Sequence, residues 1–303
     1  MSENSEKFAK TYDKNYKKLL LIPTILLIIS LAYLGYFYSV NGDFIHKDIS
    51  LTGGITITVF PSEEIDIEGL NEHLSQEIDD FAVRELSNFG TGKQEAVIIQ
   101  SPIQDLSSSE VSDFKTVIEG FLEYELNNEN SSTEKTGSKF GESFYNQLVF
   151  AIIISFILMA LVVFVIFRTI APSAAVVISA FADIIMTLAF VNFLGIKISS
   201  AGIMAFLMLI GYSVDTDIML TTRLLKRQEL INHKLANAFK TGLTMTLTSI
   251  IAITIALIIT NSFSEVLSQI FTILLIGLSF DILNTWITNA SILKWYLERR
   301  KTE

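Results

Sequence analysis

The sequence contains no cysteine, which excludes disulfide bridges, thiolate metal sites and catalysis by a thiol. Its three histidines lie far apart in the chain and match no metal-ligand spacing: His46, His73 and His233. We therefore expect no metal and no other cofactor, and we expect no nucleic-acid partner. Charged residues make up only 18% of the 303 residues, which is fewer than an ordinary soluble domain carries.

Hydrophobic residues account for 50% of the chain, and the mean hydropathy is +0.48. A helix needs about 20 mostly apolar residues to cross the hydrocarbon core of a bilayer. Six stretches meet this need: Leu19–Val40, Leu148–Phe167, Ala171–Leu194, Ile198–Thr222, Leu243–Thr260 and Val266–Leu293. No A-x-A-like cleavage site follows the first stretch, so we expect it to be retained. The sequence predicts an α-helical polytopic membrane protein with six transmembrane helices, in contact with the lipid bilayer.

The charges indicate how these helices are oriented. Residues 41–145 carry 21 acidic and 6 basic side chains, whereas the rest of the chain carries 11 acidic and 16 basic ones. The basic clusters before span 1, after span 2, between spans 4 and 5 and after span 6 all fall on one side, which the positive-inside rule assigns to the cytoplasm. We therefore expect a multi-pass protein of the cell membrane. Its predicted segments are a cytoplasmic N-terminus (1–18), transmembrane helix 1 (19–40), an extracytoplasmic domain (41–145), a five-helix transmembrane domain (146–295) and a cytoplasmic tail (296–303).

The segment between spans 1 and 2 predicts a small α+β domain. Alternating β-branched residues, helical periodicity and cap signals give the following order. We predict a strand over Ile49–Phe60, a helix over Asp66–Gly90 with Gly90 as its C-cap, a strand over Glu95–Gln100, a helix over Ser107–Leu126 and a short strand near Ser132–Gly137. Its acidity fits solvated helix faces, or alternatively a surface that handles cationic or unfolded polypeptide.

Four carboxylates are expected at membrane depth: Asp183, Asp215, Asp217 and Asp281. If Arg223 marks the inner interface, the helical rise places Asp217 about 9 Å and Asp215 about 12 Å into the membrane. Each acid costs about 2.5–3.5 kcal/mol at the centre of a span. The spans contain no basic partner for them, so we expect at least one acid to take up a proton.

Asp215 and Asp217 are about 200° apart on a helix and must face different neighbours. One can face spans of this chain while the other faces a partner chain. A purely structural alternative is that the acids only hydrogen-bond neighbouring helices. In span 5 the available hydroxyls are those of Thr244, Thr246, Thr248, Ser249 and Thr254.

Short motifs accompany this layout. Thr52, Gly53 and Gly54 lie in "SLTGG" after span 1, where the glycines permit a bend or bulge. Gly137 and Gly141 lie in "TGSKFG" before span 2. Span 4 contains "GYSVDTD", which begins at Gly211 and is followed by Arg223, and span 5 contains "LTS". Together these features resemble the SecF family, the smaller half of the SecD–SecF complex of protein export, in an archaeal-type branch of the resistance-nodulation-division superfamily.

The chain departs from the family pattern at five positions. Ser50 replaces an Asp, Ser138 replaces a Pro, and Lys240 stands one residue from the position of an Arg. Asp215 occupies a position where the SecF family usually has Asn and SecD has Asp, while Thr216 takes the usual SecF Asp position.

The resemblance implies a protein that is not an enzyme. It implies partners in the form of a SecD-like subunit, a SecYEG-type translocon and the exported polypeptide, with proton flow through the intramembrane acids. Asp215 is the acid we expect to be proton-linked, because it aligns with the SecD acid and lies deeper. The alternatives are another exporter subunit of the superfamily, for a lipid or small molecule, and an intramembrane aspartyl protease, whose Gly-x-Gly-Asp pattern is absent.

Overall fold

The computed structural model describes residues 15–78, 80–88, 90–102, 108–225 and 231–302. Residues 1–14, most of the predicted cytoplasmic N-terminus, lie outside this description, as does residue 303. Six helices in the described ranges are long and apolar enough to cross a membrane. They are Asn15–Asn41, Phe140–Phe167, Ile170–Phe193, Ser200–Leu225, Lys234–Thr260 and Glu265–Arg300. The predicted six-span polytopic fold is therefore confirmed.

The helices of the membrane domain have the following bounds. They are α1 (Leu21–Asn41), α5 (Ser138–Phe167), α6 (Ile170–Phe193), α7 (Ser200–Leu225), α8 (Ile231–Thr260), α9 (Glu265–Leu283), a π-helical segment (Asn284–Asn289) and α10 (Ala290–Thr302). In the spans that contain α6 and α7, 56% of the most apolar window is buried, against 6% in the span that contains α5. Many polar residues of α6 and α7 are therefore held inside the bundle, among them Ser179, Asp183, Ser213 and Asp217.

The region between the first two spans forms a small α+β domain, as predicted. After a single turn, α2 (Ile49–Thr52), its elements are β1 (Gly54–Val59), α3 (Ile67–Glu77), β2 (Ala82–Ser87), β3 (Gln94–Ser101), α4 (Ser108–Leu122) and β4 (Ser131–Thr136). The sheet order is β2-β3-β1-β4 and every pairing is antiparallel. This is the β-α-β-β-α-β arrangement of ferredoxin-like domains. Both helices pack on one core with β1 and β3, which includes Ile57, Leu70, Ile99 and Ile118.

Two of the predicted elements are wrong. Residues 49–52 form the turn α2 instead of the start of a strand, because Gly53 and Gly54 take positive φ values of 81° and 148°. The predicted helix over Asp66–Gly90 stops at Glu77, and β2 follows. Helix-compatible residues such as Ala82 and Glu85 extend there because pairing with β3 overrides their local preference. Gly90 therefore caps no helix, and its N–H bonds the Asn88 side chain.

Candidate functional site

Three carboxylates meet at the centre of the membrane domain. Asp183 lies on α6, Asp217 on α7 and Asp281 on α9, and each has 0% of its surface exposed. In the described part of the chain no Lys or Arg side chain pairs with them. Nor do acidic or histidine side chains there form a group of three that could hold a metal ion. Neutral hydrogen-bond donors are therefore what surrounds these acids.

Asp217 is the most heavily bonded of the three acids. Its Oδ1 accepts hydrogen bonds from Asn289 Nδ2 at 2.7 Å, Thr285 Oγ1 at 2.8 Å and Ser179 Oγ at 3.3 Å. Its Oδ2 has no partner among the residues that the structure describes. Asp183 is held similarly, because Asn284 Nδ2 donates to its Oδ1 at 2.7 Å and the Ser213 hydroxyl donates to its Oδ2.

Hydroxyl groups connect the acids to one another. Thr285 Oγ1 lies 2.8 Å from Asp217 Oδ1 and 3.1 Å from Asp281 Oδ1. The Ser213 hydroxyl, on the same face of α7 as Asp217, bonds Asp183. Thr285 therefore connects Asp217 to Asp281, while Ser213 and Asn284 hold Asp183. We call Asp183, Asp217, Asp281 and the two hydroxyls of Ser213 and Thr285 the carboxylate cluster.

The π-helical segment supplies most of the donors. Its i→i+5 hydrogen bonds widen the helix, so that residues five apart, such as Asn284 and Asn289, can face one side. Asn284 and Asn289 both have 0% exposure and each reaches a different acid. Isolated π turns within α-helices are frequent at functional sites. The local widening thus turns the end of span 6 into a polar surface within an otherwise apolar helix.

Sequence reasoning missed these donors, although a signal was present. Polar residues follow Asp281 at spacings of three, four, seven and eight, which is the repeat of one helical face. They are Asn284, Thr285, Thr288 and Asn289.

The five span 5 hydroxyls named as possible donors bond none of the acids in the described ranges, and three of them bond their own helix: those of Thr244, Thr248 and Thr254. Thr244 donates to the Lys240 carbonyl at 2.7 Å, and Thr254 donates to that of Ile250 at 2.7 Å. Such local bonds satisfy a hydroxyl in a membrane helix without a partner helix.

Asp215 lies outside the carboxylate cluster. It is exposed on the opposite face of α7 from Asp217, as the 200° separation requires. Around it runs a surface of exposed residues with helical spacing, which we call the Asp215 stripe. Its members are Met204, Met208, Gly211, Tyr212 and Asp215. A Cβ at Gly211 would meet nothing within 4 Å, so the stripe is open at this point.

Arg223 fastens the far end of α7 to α8. Its Nη1 donates to Thr241 Oγ1 at 2.9 Å and to the carbonyl of Asn237 at 3.2 Å. It bonds none of the four acids in the described ranges, and it lies about 9 Å along the helix from Asp217, by the rise per residue. Arg223 therefore holds the C-terminal part of α7 against α8 and does not contact the acids.

The glycine motifs of the first and second spans meet each other. A Cβ on Gly141, near the start of α5, would lie 2.8 Å from the carbonyl oxygen of Leu51 and 2.9 Å from the nitrogen of Gly53. Thr52 closes the same turn, because its hydroxyl reaches the carbonyl of Gly53 at 3.1 Å. Gly137 precedes α5 as its N-cap, with nothing within 4 Å of its Cβ position. The backbone of the Thr52–Gly54 motif thus packs closely against that of Gly141, at the junction between the α+β domain and the membrane domain.

Ser50, one of the departures from the family pattern, also bridges the two domains. Its Oγ accepts a hydrogen bond from the backbone N–H of Ser200, the first residue of α7, at 3.1 Å. A helix leaves its first N–H groups without internal partners, so this bond caps α7. The substituted serine therefore retains an acceptor at this position.

The edge strand β2 contacts the membrane domain. Arg84 forms an ion pair with Glu265 at the start of α9, and Lys197 pairs with Asp80 at 3.1 Å. The backbone N–H of Ser87 donates to the carbonyl of Ser262, in the loop between α8 and α9, at 2.7 Å. The strand edge is therefore partly covered by the chain itself.

Comparison with known proteins gives one consistent result. Residues 116–299 match the family described as "Protein export membrane protein SecD/SecF, C-terminal". The chain is 39% identical over 289 residues to the protein-export membrane protein SecF of Methanocaldococcus jannaschii, covering 94% of this chain and 96% of that one. It is 35% identical over 295 residues to SecF of Methanolacinia petrolearia, covering 95% and 98%.

The fold is similar to a solved structure as well. The crystal structure of SecDF, a translocon-associated membrane protein from Thermus thermophilus, superposes with a TM-score of 0.70 at 17% identity. The match covers 94% of this chain but only 38% of the SecDF chain. A second SecDF structure, in a super-membrane-facing form, gives a TM-score of 0.61 at 18% identity. At these identities the likeness is one of fold.

Proposed function

The chain belongs to the SecF family of protein-export membrane subunits, and we propose that it works with a SecD-like subunit to couple the proton gradient to export through a SecYEG-type translocon. Its named relatives are export subunits and not enzymes, so no catalytic reaction is assigned to it. Family membership and the absence of a Gly-x-Gly-Asp motif both argue against an intramembrane protease. Membership of the Sec branch also argues against a lipid or small-molecule exporter.

The observation that carries the proton-coupled role is the shared hydroxyl between Asp217 and Asp281. A threonine hydroxyl has one hydrogen, so it can donate to only one of two acceptors. Thr285 contacts both acids, and the second contact is favourable only when that carboxyl itself carries a proton. The pair is thus suited to hold a proton and to pass it between Asp217 and Asp281.

Burial without cations supports the same conclusion. A carboxylate inside a membrane is costly and usually marks an ion or proton pathway. In this chain three such groups lie together, bonded only by neutral donors among the described residues. Gain or loss of a proton there changes which hydroxyl bonds which acid. Proton movement would in this way bias the packing of α6, α7 and α9.

Asp215 carries a separate part of the proposal. An acid facing lipid is unfavourable, so the Asp215 stripe requires protein opposite it. The methionines adapt to a partner surface, and Gly211 allows close helix approach. We assign this stripe to the SecD-like subunit, where Asp215 can join the proton pathway from the partner side. This division places Asp217, with Asp183 and Asp281, on the pathway within the chain.

The orientation follows from the charge pattern. Residues 41–145 carry 21 acidic and 6 basic side chains, so we propose that the α+β domain lies outside the cell membrane. Both termini then lie in the cytoplasm, and the domain is placed where an exported polypeptide emerges. A single cysteine at Ser132 should react with an impermeant maleimide in intact cells, whereas one at Ser2 should react only after lysis. Labelling of Ser2→Cys in intact cells would reverse the proposed orientation.

The decisive experiment measures export into membrane vesicles with an imposed proton gradient. Asp217→Asn and Asp281→Asn keep size and hydrogen bonding while removing titration. We expect either change to reduce gradient-dependent export at least tenfold while the subunit still co-purifies with its SecD-like partner. Asp113→Asn, on α4 of the α+β domain, is the matched control and should export normally. Normal export by the Asp217→Asn, Asp281→Asn double variant would refute proton coupling through this cluster.

A further inference from the structure

An apolar crevice of about 430 Å³ lies between the first and second spans. Helix α1 forms one wall with Leu31 and Gly35, and α5 forms the other with Val149 and Ile153. Both helices pack against α6, which leaves the space between them open. The crevice is therefore bounded by membrane helices on its sides, at the end of the bundle that adjoins the α+β domain.

The floor of the crevice comes from α6 and α7. Ile185 and Leu188 of α6 line it, together with Ile203 and Phe206 of α7. Among the lining residues only Tyr145 has a polar side-chain atom. Water gains nothing in such a space, because it needs two to four polar partners. The apolar lining therefore favours a hydrocarbon group over water as the occupant of the crevice.

A fixed roof closes the end of the crevice. The roof is the segment 43–48, which follows α1. Asn192 Nδ2 donates to the carbonyl of Phe44 at 2.7 Å, and the N–H of Asp48 donates to the carbonyl of Ile198 at 3.0 Å. The N–H of Ile198 in turn donates to the carbonyl of His46 at 2.6 Å. These bonds hold the roof on the membrane domain, so the crevice is built into the fold.

A cation stands beside the roof. Lys47 forms an ion pair with Asp43, and its Nζ lies 3.9 Å from the centre of the Tyr145 ring. The Tyr145 hydroxyl donates to Asp43 Oδ1 at 2.9 Å. An ammonium group has three donors, so Lys47 can bond a phosphate oxygen while it keeps Asp43. The Lys47 side chain is 22% exposed, so its ammonium group is accessible to a ligand beside the roof of the crevice.

We propose that this crevice binds one hydrocarbon chain of a membrane lipid whose anionic headgroup lies at Lys47. The apolar lining takes the chain, and the cation at the roof takes the phosphate. The bound lipid fills the gap between α1 and α5, and it thereby ties the first span to the rest of the bundle. This proposal is independent of proton coupling.

The lining favours an acyl chain over a partner helix. A helix is a rigid cylinder about 10 Å wide, whereas a hydrocarbon chain is flexible and apolar along its whole length. Because Tyr145 alone among the lining residues offers a polar side-chain atom, a lipid acyl chain is the occupant that matches the crevice.

Photocrosslinking in vesicles tests the proposal. The probe is phosphatidylglycerol with a diazirine near the end of one acyl chain, and the full chain is reconstituted with it. Adducts mapped by mass spectrometry are expected on Leu188 in the floor. Adducts on Ile255, which is exposed on α8, report contact with bulk lipid. Gly35→Phe should fill the crevice, because a Cβ there meets nothing within 4 Å. It should reduce the Leu188 adduct at least fivefold and leave the Ile255 adduct unchanged.

Matched variants complete the test. Ile29→Phe adds the same ring to an exposed position of α1 outside the lining and should change neither adduct. Ile185→Trp fills the crevice from the floor and should reproduce the effect of Gly35→Phe. Lys47→Gln should remove the preference for phosphatidylglycerol over a phosphatidylcholine probe, lowering the ratio of their adducts about threefold. The proposal is overturned if Gly35→Phe and Ile185→Trp both leave the Leu188 adduct as abundant as it is in the unmodified chain.

Discussion

The two faces of α7 place two aspartates in opposite surroundings. Asp217 faces inward, where three donors bond one of its oxygens. Asp215, two residues earlier, faces outward among Met208, Gly211 and Tyr212. The chain itself buries the first acid and leaves the second exposed. A single membrane helix can therefore serve an internal site and an intermolecular contact with residues of the same type.

The largest expected difference between the two faces is in stability. Asp217→Leu leaves Ser179 and Asn289 without their acceptor inside the bundle, although Thr285 keeps Asp281, and each unsatisfied donor costs about 1–3 kcal/mol. Asp215→Leu removes a charge from an exposed position, so it should leave the isolated chain as stable or more stable. Thermal unfolding of each purified variant in detergent measures the difference. Equal shifts in the midpoint would contradict the separation of the two faces.

Partner binding should show the reverse order. Asp215→Leu and Gly211→Leu change the Asp215 stripe, and we expect each to reduce co-purification with a SecD-like subunit by about tenfold, because they remove a polar contact and obstruct close approach. Asp217→Asn, on the inner face, should leave the complex intact. Loss of the complex in Asp217→Asn, with retention in both stripe variants, would exchange the roles of the two faces.

Two glycines at the start of α5 allow a second comparison, at the junction between the two domains. Gly141→Val would drive side-chain atoms into the backbone of Leu51 and Gly53, and overpacking of this kind typically costs about 1–3 kcal/mol. Gly137→Ala meets open space with an ordinary φ of −66° and should change stability by less than about 0.5 kcal/mol. Chemical unfolding of both variants, followed through the α+β domain, gives the comparison. A similar loss in each would mean that the close approach at Gly141 is unimportant.

The smallest effect on stability is expected from removing the ion pair between the two domains. Arg84→Ala breaks the ion pair with Glu265, and the Arg84 side chain is 39% exposed. Solvent-exposed pairs of this kind contribute about 0.2–1 kcal/mol. Proteolysis at the domain junction should rise less than fivefold, and raising the salt concentration should reduce the difference between Arg84→Ala and the unmodified chain. A larger change would show that the ion pair does more than hold the two surfaces together.

The sequence predicted those features that depend on local pattern. Six apolar runs, the α+β domain and the family resemblance were all confirmed, because hydrophobic length and short motifs are read directly along the chain. The strand β2 was missed because its conformation depends on pairing with β3, which adds no local periodicity. Whether the predicted domain boundaries hold, and which acids are proton-linked, remain predictions.

The carboxylate cluster was predictable in part. The four acids were visible as charges in apolar runs, and the opposite directions of Asp215 and Asp217 follow from helical geometry. The hydroxyls of span 5 were the donors considered from the sequence. The spacing of Asn284 and Asn289 after Asp281 instead places polar residues on the face of span 6 that carries the acid. The π-helical widening that turns both amides towards the acids has no simple sequence signature. Packing of α6, α7 and α9 decides which polar side chains meet.

Helix α9 runs from the contact with the α+β domain to the centre of the membrane domain. Its first residue, Glu265, pairs with the edge strand β2, and Asp281 lies sixteen residues later in the carboxylate cluster. An unbroken helix of this length is a strut about 24 Å long between the two points. Because a helix resists compression along its axis, a displacement at Asp281 would be carried to Glu265. Under the proposed proton coupling, α9 would therefore link a change in the carboxylate cluster to the surface that β2 contacts.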